Sequence, residues 1–488
     1  MARVYYIAHM RFLHALNILL RAMHKYKRAY ARPKVGVVYT ELRAQHNENY
    51  FYSVDAERRV EDFSGLSGVM AHVQHNGVHG LASSSEYSPE SVKRVLEKAK
   101  YNAETMSRFS RRRLKPIPEL PCAEIPVNYH IQALDKALIR SMMDDLYSYS
   151  CSKYSSVKKI AVYYTQSTSE KILTVHTGLS GRNNRVLGSI GISMESEASN
   201  GEKVSAYHSC GTDVYLNDAF ATASALYELA DKAYEKLQTE LKYALEEKVT
   251  VEGGIHDVIL SPEFTGMLAH EAVGHTCEGD AVIRKGSVCA EYMGKQVASE
   301  LVSLTDFAHS AYGERCPINL YMDDEGTPCV DAPIIKNGIL VGCMTNREIA
   351  AQLGVPNTGN ARASEPTDEP IIRMRNTCFH KGTSRLEDMI ASIDKGYYLT
   401  KSGGGNGSLK GEFNMKIDEG YEIIHGKLGR RINPTLSSGI AWDALKTVTM
   451  VSDNFIDSKQ CGICGKKQGI PTSQGGAEMK MRIAISGK

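Results

Sequence analysis

The stretch LAHEAVGHTCEGDA, residues 268–281, sets His270, Glu271 and His275 close together in the chain. Two neutral imidazoles suit a divalent ion such as Zn²⁺, and a carboxylate beside such an ion can take a proton from water. Glu271 is therefore the candidate general base. The spacing is the difficulty. In the HExxH helix of zinc proteases the histidines are four residues apart, so they lie within roughly 40° of one another on one face. Here the pattern is HExxxH, and a regular helix would turn the two rings roughly 140° apart. Both can reach one ion only if the helix widens into a π-turn or ends before His275, and Gly274 is where the chain can do either. The bland alternative is a pair of histidines at a helix end that serve hydrogen bonds. A catalytic zinc usually holds three protein ligands and a water, so a third ligand must come from elsewhere.

The elements that must position these residues are legible in outline. "IHDVILSP", after Gly253-Gly254, reads as a strand running into Ser261-Pro262-Glu263, a helix start, and that helix carries His270. Upstream, short strand-like pieces between Val35 and Ala82 precede a helix introduced by Ser88-Pro89-Glu90. The proline-rich stretch from Leu114 to Pro126 reads as a linker. A helix from about His130 to Leu146 follows, and "KKIAVYYTQSTSEKILTVHTG" reads as a hairpin, two β-rich runs around a polar turn. Leu226, Leu229, Ala230 and Ala233 recur at helical spacing and predict a long helix toward Leu245. The expected division is a 1–113 N-terminal α/β domain, a 114–126 linker, a 127–249 middle α/β domain and a 250–488 strand-rich C-terminal domain. The fold class is α+β.

Bulk properties narrow the function. A chain of 488 residues predicts about two or three domains. With 42% hydrophobic and 23% charged residues and a net charge of +2, neither disorder nor a polyanion-binding surface is indicated, so nucleic acid is not an expected partner. The Arg111-Arg112-Arg113 run reads as part of a solvated linker. Eleven cysteines without dense regular spacing fit a reducing, cytoplasmic setting better than a secreted disulfide framework. The N-terminal "ALNILLRAMHKYKRAY" reads as an amphipathic core helix with no signal-cleavage pattern behind it, and no stretch reaches the roughly 20 apolar residues of a membrane span.

Several ordered stretches together resemble the TldD/PmbA family, and specifically its TldD-type subunit. "HEAVGHTCEGD" is similar to the family's metal helix, and "YMDDEGTP" at 321–328 to its acidic strand-turn. "KNGILVGCMTNREIAAQLG", "GNARASEP", "RMRNTCFHKG", "SGGGNGS" and "CGICGKKQG" follow in the family's order. The resemblance implies a TldD/PmbA-like fold, with a mixed α/β N-terminal part and a larger C-terminal metalloprotease domain. It implies a Zn²⁺-dependent peptidase acting on unfolded polypeptide, with His270, His275 and Cys464 as ligands and Glu271 as base. Cys464 is placed by Cys464-Gly465-Lys466. Cys461 makes a CxxC with it, which also permits a redox pair or two sulfur ligands. A single cysteine leaves the fourth position to water, whereas His₂Cys₂ would be a closed structural site.

The resemblance further implies that this chain is the catalytic half of a dimer, with a metal-free TldE/PmbA-type subunit or a second copy of itself, enclosing a cavity for extended chains. Gly403, Gly404 and Gly405 would suit close approach of a substrate backbone, or form a plain flexible loop. The sequence departs from the family at Thr276-Cys277, at Cys378 and at Gly475-Gly476-Ala477. The first departure lies beside the expected metal. Two other classes compete: a regulatory or binding protein with a structural zinc, since the family has carried the name modulator of DNA gyrase, and a zinc hydrolase of small molecules.

Overall fold

The computed structural model describes residues 37–86, 88–111, 113–118, 124–125, 134–176, 180–212, 222–457 and 462–487. The N-terminal segment expected as an amphipathic helix lies outside them, as does Cys461. The chain divides into two compact units, each with its own core.

The first unit is built on a seven-stranded sheet. Its long strands are β1 (Val37–Val54), β2 (Arg59–His75), β5 (Lys159–Val175) and β6 (Ser180–Glu197), with β3 (Val78–Ser84), a short β4 (Glu124–Ile125) and β7 (Lys203–Thr212) at the margins. β1 pairs antiparallel with both β2 and β5, so the segments expected as separate N-terminal and middle domains share one sheet. Helix α1 (Pro89–Phe109) begins at Ser88, whose hydroxyl accepts from the Ser91 amide, and it buries Val92, Val95, Leu96 and Ala99. Helices α2 (Lys136–Lys153) and α3 (Ala223–Ala244) share a second apolar cluster, in which α3 contributes Leu226, Leu229, Ala230 and Ala233 as the periodicity predicts.

One expectation fails here. "KKIAVYYTQSTSEKILTVHTG" is not a hairpin, because β5 runs unbroken through its polar middle. Gln166, Thr168, Ser169 and Glu170 are buried in the sheet instead of exposed in a turn. Two segments farther along the chain, Met322–Gly326 and Ala363–Pro370, belong to this first unit, not to the expected C-terminal domain. Lys171 Nζ meets Asp324 at 2.6 Å and the Ala363 carbonyl at 2.7 Å, and Gln45 donates to the Ser364 carbonyl at 2.7 Å. Buried polar strand residues are stable when their hydrogen bonds are met, and these two segments supply acceptors for Lys171 and Gln45.

The second unit contains a closed barrel and a mixed sheet. The barrel strands are β8 (Gly254–Leu260), β13 (Lys395–Gly407), β14 (Glu412–Ile424), β15 (Thr435–Ile440) and β19 (Met479–Ile485); β13 pairs with β8 on one side and β14 on the other. The mixed sheet runs through β9 (Leu304–Phe307), β10 (Ala332–Lys336), β11 (Ile339–Leu340), β12 (Asn376–Phe379), β16 (Ile456–Asp457), β17 (Gly462–Lys466) and β18 (Gln468–Gly476). Gly403–Gly405 lie in β13 rather than in a loop. Arg375 and Asp306, both fully buried, pair at 2.8 Å, and Asp306 also accepts from Asn360 and Thr377. Helix α4 (Pro262–Leu268) leaves the barrel at Leu260, capped by Ser261, and leads into the residues of interest.

Candidate metal centre

α4 does not continue as an α-helix. Residues Ala269–Gly274 form a π-helical turn and His275–Cys277 a 3₁₀ turn, and the His275 amide donates to the His270 carbonyl five residues back. A π-turn places residues five apart on one face, so the ring centroids of His270 and His275 stand 5.1 Å apart at 84°. The wider turn leaves no room at Gly274, where a methyl group would lie 2.2 Å from Met374 Sδ.

Cys464 arrives from β17, which is joined to β18 by a tight hairpin with Lys467 in the left-handed region at φ 61°. Its sulfur is 3.3 Å from His275 Nε2. One donor atom each from His270, His275 and Cys464 lies within 4.8 Å of the others, a separation an ion can bridge after small side-chain adjustments. His270 Nδ1 is buried without a hydrogen-bond partner. A buried orphan nitrogen is costly unless something binds the ring, and two nitrogens with one sulfur form a zinc-type donor set.

The surroundings set the protonation. Burial holds His270 down to about 3, with His275 and Arg373 adding to the effect. Burial opposes charge on His275 too, but its contacts with Cys464 and Glu278 outweigh this and push it up to about 10. Burial raises the half-buried Glu271 carboxyl above its ordinary range, partly offset by His275. Gly407, at the end of β13, packs on the Glu271 backbone so closely that a methyl group there would lie 2.0 Å from the Glu271 carbonyl oxygen.

Sequence reasoning missed a second layer. Glu278 Oε2 is 3.5 Å from His275 Nδ1 and 2.8 Å from Lys466 Nζ. Lys466 also reaches Asp280 at 2.7 Å, and Arg373 donates to the Cys464 carbonyl at 2.6 Å. The available signals were spacing: Glu278 follows His275 by one turn, and Lys466 shares a strand face with Cys464. The departures from the family pattern are interior. Thr276 donates to the Val273 carbonyl at 2.6 Å, and Cys277, Cys378 and Ala477 are fully buried.

Residues 253–480, which hold this donor cluster, match the family model for the PmbA/TldA metallopeptidase C-terminal domain. A zinc metalloprotease TldD homolog of Saccharolobus solfataricus is 32% identical over 269 residues, 55% of this chain and 57% of that one. A metalloprotease TldD homolog of Buchnera aphidicola is 36% identical over 237 residues, 48% of each chain. In these matches the chain spans about half the length of its relatives. A metalloprotease of Methanocaldococcus jannaschii is 28% identical over 463 residues, 92% of this chain and 97% of that one. Among solved structures, TldE of Thermococcus kodakarensis shares the fold, with a TM-score of 0.68 and 17% identity over 97% of this chain and 100% of that one. So does a Thermotoga maritima protein described as a modulator of a DNA gyrase, with a TM-score of 0.69 and 18% identity over 96% and 99%. Residues 253–480 therefore carry a domain of the PmbA/TldA metallopeptidase C-terminal family. Among its described residues no helix is long and apolar enough to cross a membrane.

Proposed function

We propose that this chain is a zinc-dependent peptidase that hydrolyses peptide bonds in unfolded or extended polypeptides. The observation that carries the proposal is the π-turn, which brings His270 and His275 together beside a cysteine 189 residues from His275. His270, His275 and Cys464 would hold the ion, and Zn²⁺ would supply a Lewis acid at the scissile carbonyl. Glu271 is the general base. It sits in the same turn, half-buried, and burial raises its carboxyl above the ordinary range, the direction that strengthens a carboxylate as a base. Glu278 keeps His275 oriented by facing Nδ1, which leaves Nε2 turned toward Cys464. The glycine-rich end of β13 runs against the Glu271 backbone, a position from which a strand could hold an extended substrate by its main chain.

Under this reading the chain acts as the TldD-type subunit of a dimer, paired in the cytoplasm with a TldE/PmbA-type chain or with a second copy. The test is to incubate the chain, alone and with such a partner, with an unstructured polypeptide, with and without chelator, beside Glu271→Gln. The wild type should give chelator-sensitive fragments, and Glu271→Gln should keep its zinc yet lose turnover by about a hundredfold or more. Wild-type cleavage by Glu271→Gln would refute the mechanism. Zinc binding without cleavage in any combination would favour the regulatory reading.

A further inference from the structure

We propose that Lys466 is a positioning residue of the metal site, tying the hairpin that carries Cys464 to the turn that carries His275. The inference rests on the zinc-peptidase reading and concerns how its ligand set is assembled. The two ligands come from a helix end and from a β-hairpin 189 residues apart in sequence, so side chains must fix their separation. Lys466 lies two residues after Cys464 in β17 and pairs with Gln468 across the hairpin tip. Its ammonium meets Glu278 Oε2 at 2.8 Å, Asp280 Oδ1 at 2.7 Å and the Ile372 carbonyl at 3.2 Å. An ammonium has three N–H donors, and these three acceptors use them all, which leaves none for a substrate.

The same Glu278 oxygen stands 3.5 Å from His275 Nδ1, so one carboxylate links the ammonium to the imidazole. Arg373 secures the other side of the hairpin, donating to the Cys464 carbonyl at 2.6 Å and the Gln468 carbonyl at 2.8 Å. Its Nε lies 3.8 Å from Glu278, too far to replace the lysine contact. Glu278 is 1% exposed, so removing Lys466 leaves a buried carboxylate short of its nearest cation. The turn and the hairpin would then separate by local rearrangement, and the sulfur would leave the reach of the two imidazoles.

The experiment measures zinc affinity by chelator competition, and the thiolate-to-metal absorption band of the Co²⁺-substituted protein. It compares wild type with Lys466→Met, Lys466→Arg, Asp280→Asn and the Lys466→Met/Asp280→Asn double variant. Lys466→Met should weaken zinc binding about 10–100-fold and diminish the thiolate band, as removal of an orienting partner does. Lys466→Arg, which keeps the charge but not the compact ammonium, should weaken binding less than Lys466→Met. Asp280→Asn should lose less, and should add little to Lys466→Met because both act through one contact. Asp280 is partly exposed, so its variant carries the test if Lys466→Met does not fold. An unchanged affinity and band in Lys466→Met, or fully additive losses in the double variant, would overturn the assignment and leave the peptidase reading standing. A wild-type chain that takes up neither zinc nor Co²⁺ through a thiolate would overturn both.

Discussion

Gly274→Ala isolates the link between backbone and metal. Gly274 has helical torsions, φ −55° and ψ −53°, so by intrinsic propensity alone alanine should stabilise this turn by about 1 kcal/mol. The surroundings oppose that gain. The added methyl group would lie 2.2 Å from Met374 Sδ and 3.0 Å from the Ala269 carbonyl oxygen, against a normal separation of roughly 3.5–4.0 Å. Met374 is fully buried, so its sulfur cannot swing into solvent. Overpacking of this kind costs about 1–3 kcal/mol, which cancels or exceeds the propensity gain, and global stability should change little.

The metal site is more sensitive, because relieving the clash requires a displacement of about 1.5 Å whereas a metal site tolerates about 0.2 Å in its ligand distances. Zinc affinity should therefore fall at least about tenfold, the equivalent of about 1.4 kcal/mol. The assay is chelator competition alongside thermal unfolding with and without zinc. The metal-free melting curves should nearly coincide, while the stabilisation conferred by zinc shrinks in the variant. Met374→Ala in the same chain should recover much of the lost affinity by making room for the methyl group, although it lowers stability by about 2–5 kcal/mol. Wild-type zinc affinity in Gly274→Ala, or no recovery with Met374→Ala, would refute the argument that the narrow space at Gly274 holds the two histidines together.

Two further expectations follow from the electrostatics. His275, pushed up to about 10, must give up its proton before its ring can bind an ion, so zinc affinity should climb with pH through neutrality toward 10 and level off above it. Calorimetry in buffers of different protonation heats should show proton release at pH 8, and zinc uptake without it would contradict the assignment. Arg375→Met leaves Asp306 buried without its cation, so the second unit should lose about 3–5 kcal/mol, read from denaturant unfolding of zinc-free protein; a loss under about 1 kcal/mol would show that Asn360, Thr377 and the backbone satisfy Asp306 by themselves.

The local features of the site were legible in the sequence because they depend on neighbours within a few residues. Ser261 and Pro262 mark the start of α4, and of the two forms the five-residue spacing allows for a shared ion, a π-turn or a helix end before His275, the π-turn is observed at Ala269–Gly274. The partners were not legible from the motif. Nothing in HExxxH selects Cys464 among eleven cysteines; only the resemblance did so. Glu278, Arg373 and Lys466 look like ordinary surface charges until the fold buries them against one another. The first unit failed in the same way. The polar middle of β5 resembles a turn in the sequence, and the segments that bond Lys171 in the same strand lie more than a hundred residues later in the chain.

This pattern separates two physical requirements of the site. The histidine pair is set by a backbone hydrogen bond between residues five apart and by the packing of Gly274 against Met374. The cysteine is fixed by side-chain charge and by two carbonyl contacts from Arg373, all of which need β17 and β18 already in place. A two-imidazole site alone binds zinc weakly and leaves it open to water on two sides, whereas the thiolate completes three protein ligands and leaves one position. Tight binding should therefore wait for the second unit to be assembled, and zinc should report on the docking of the hairpin more than on the helix. Unfolding followed by amide exchange with and without zinc would show this directly: zinc should slow exchange in β17 and β18 by a larger factor than in α4. Equal protection of α4 and the hairpin would mean that the two ligand-bearing pieces fold as a single step.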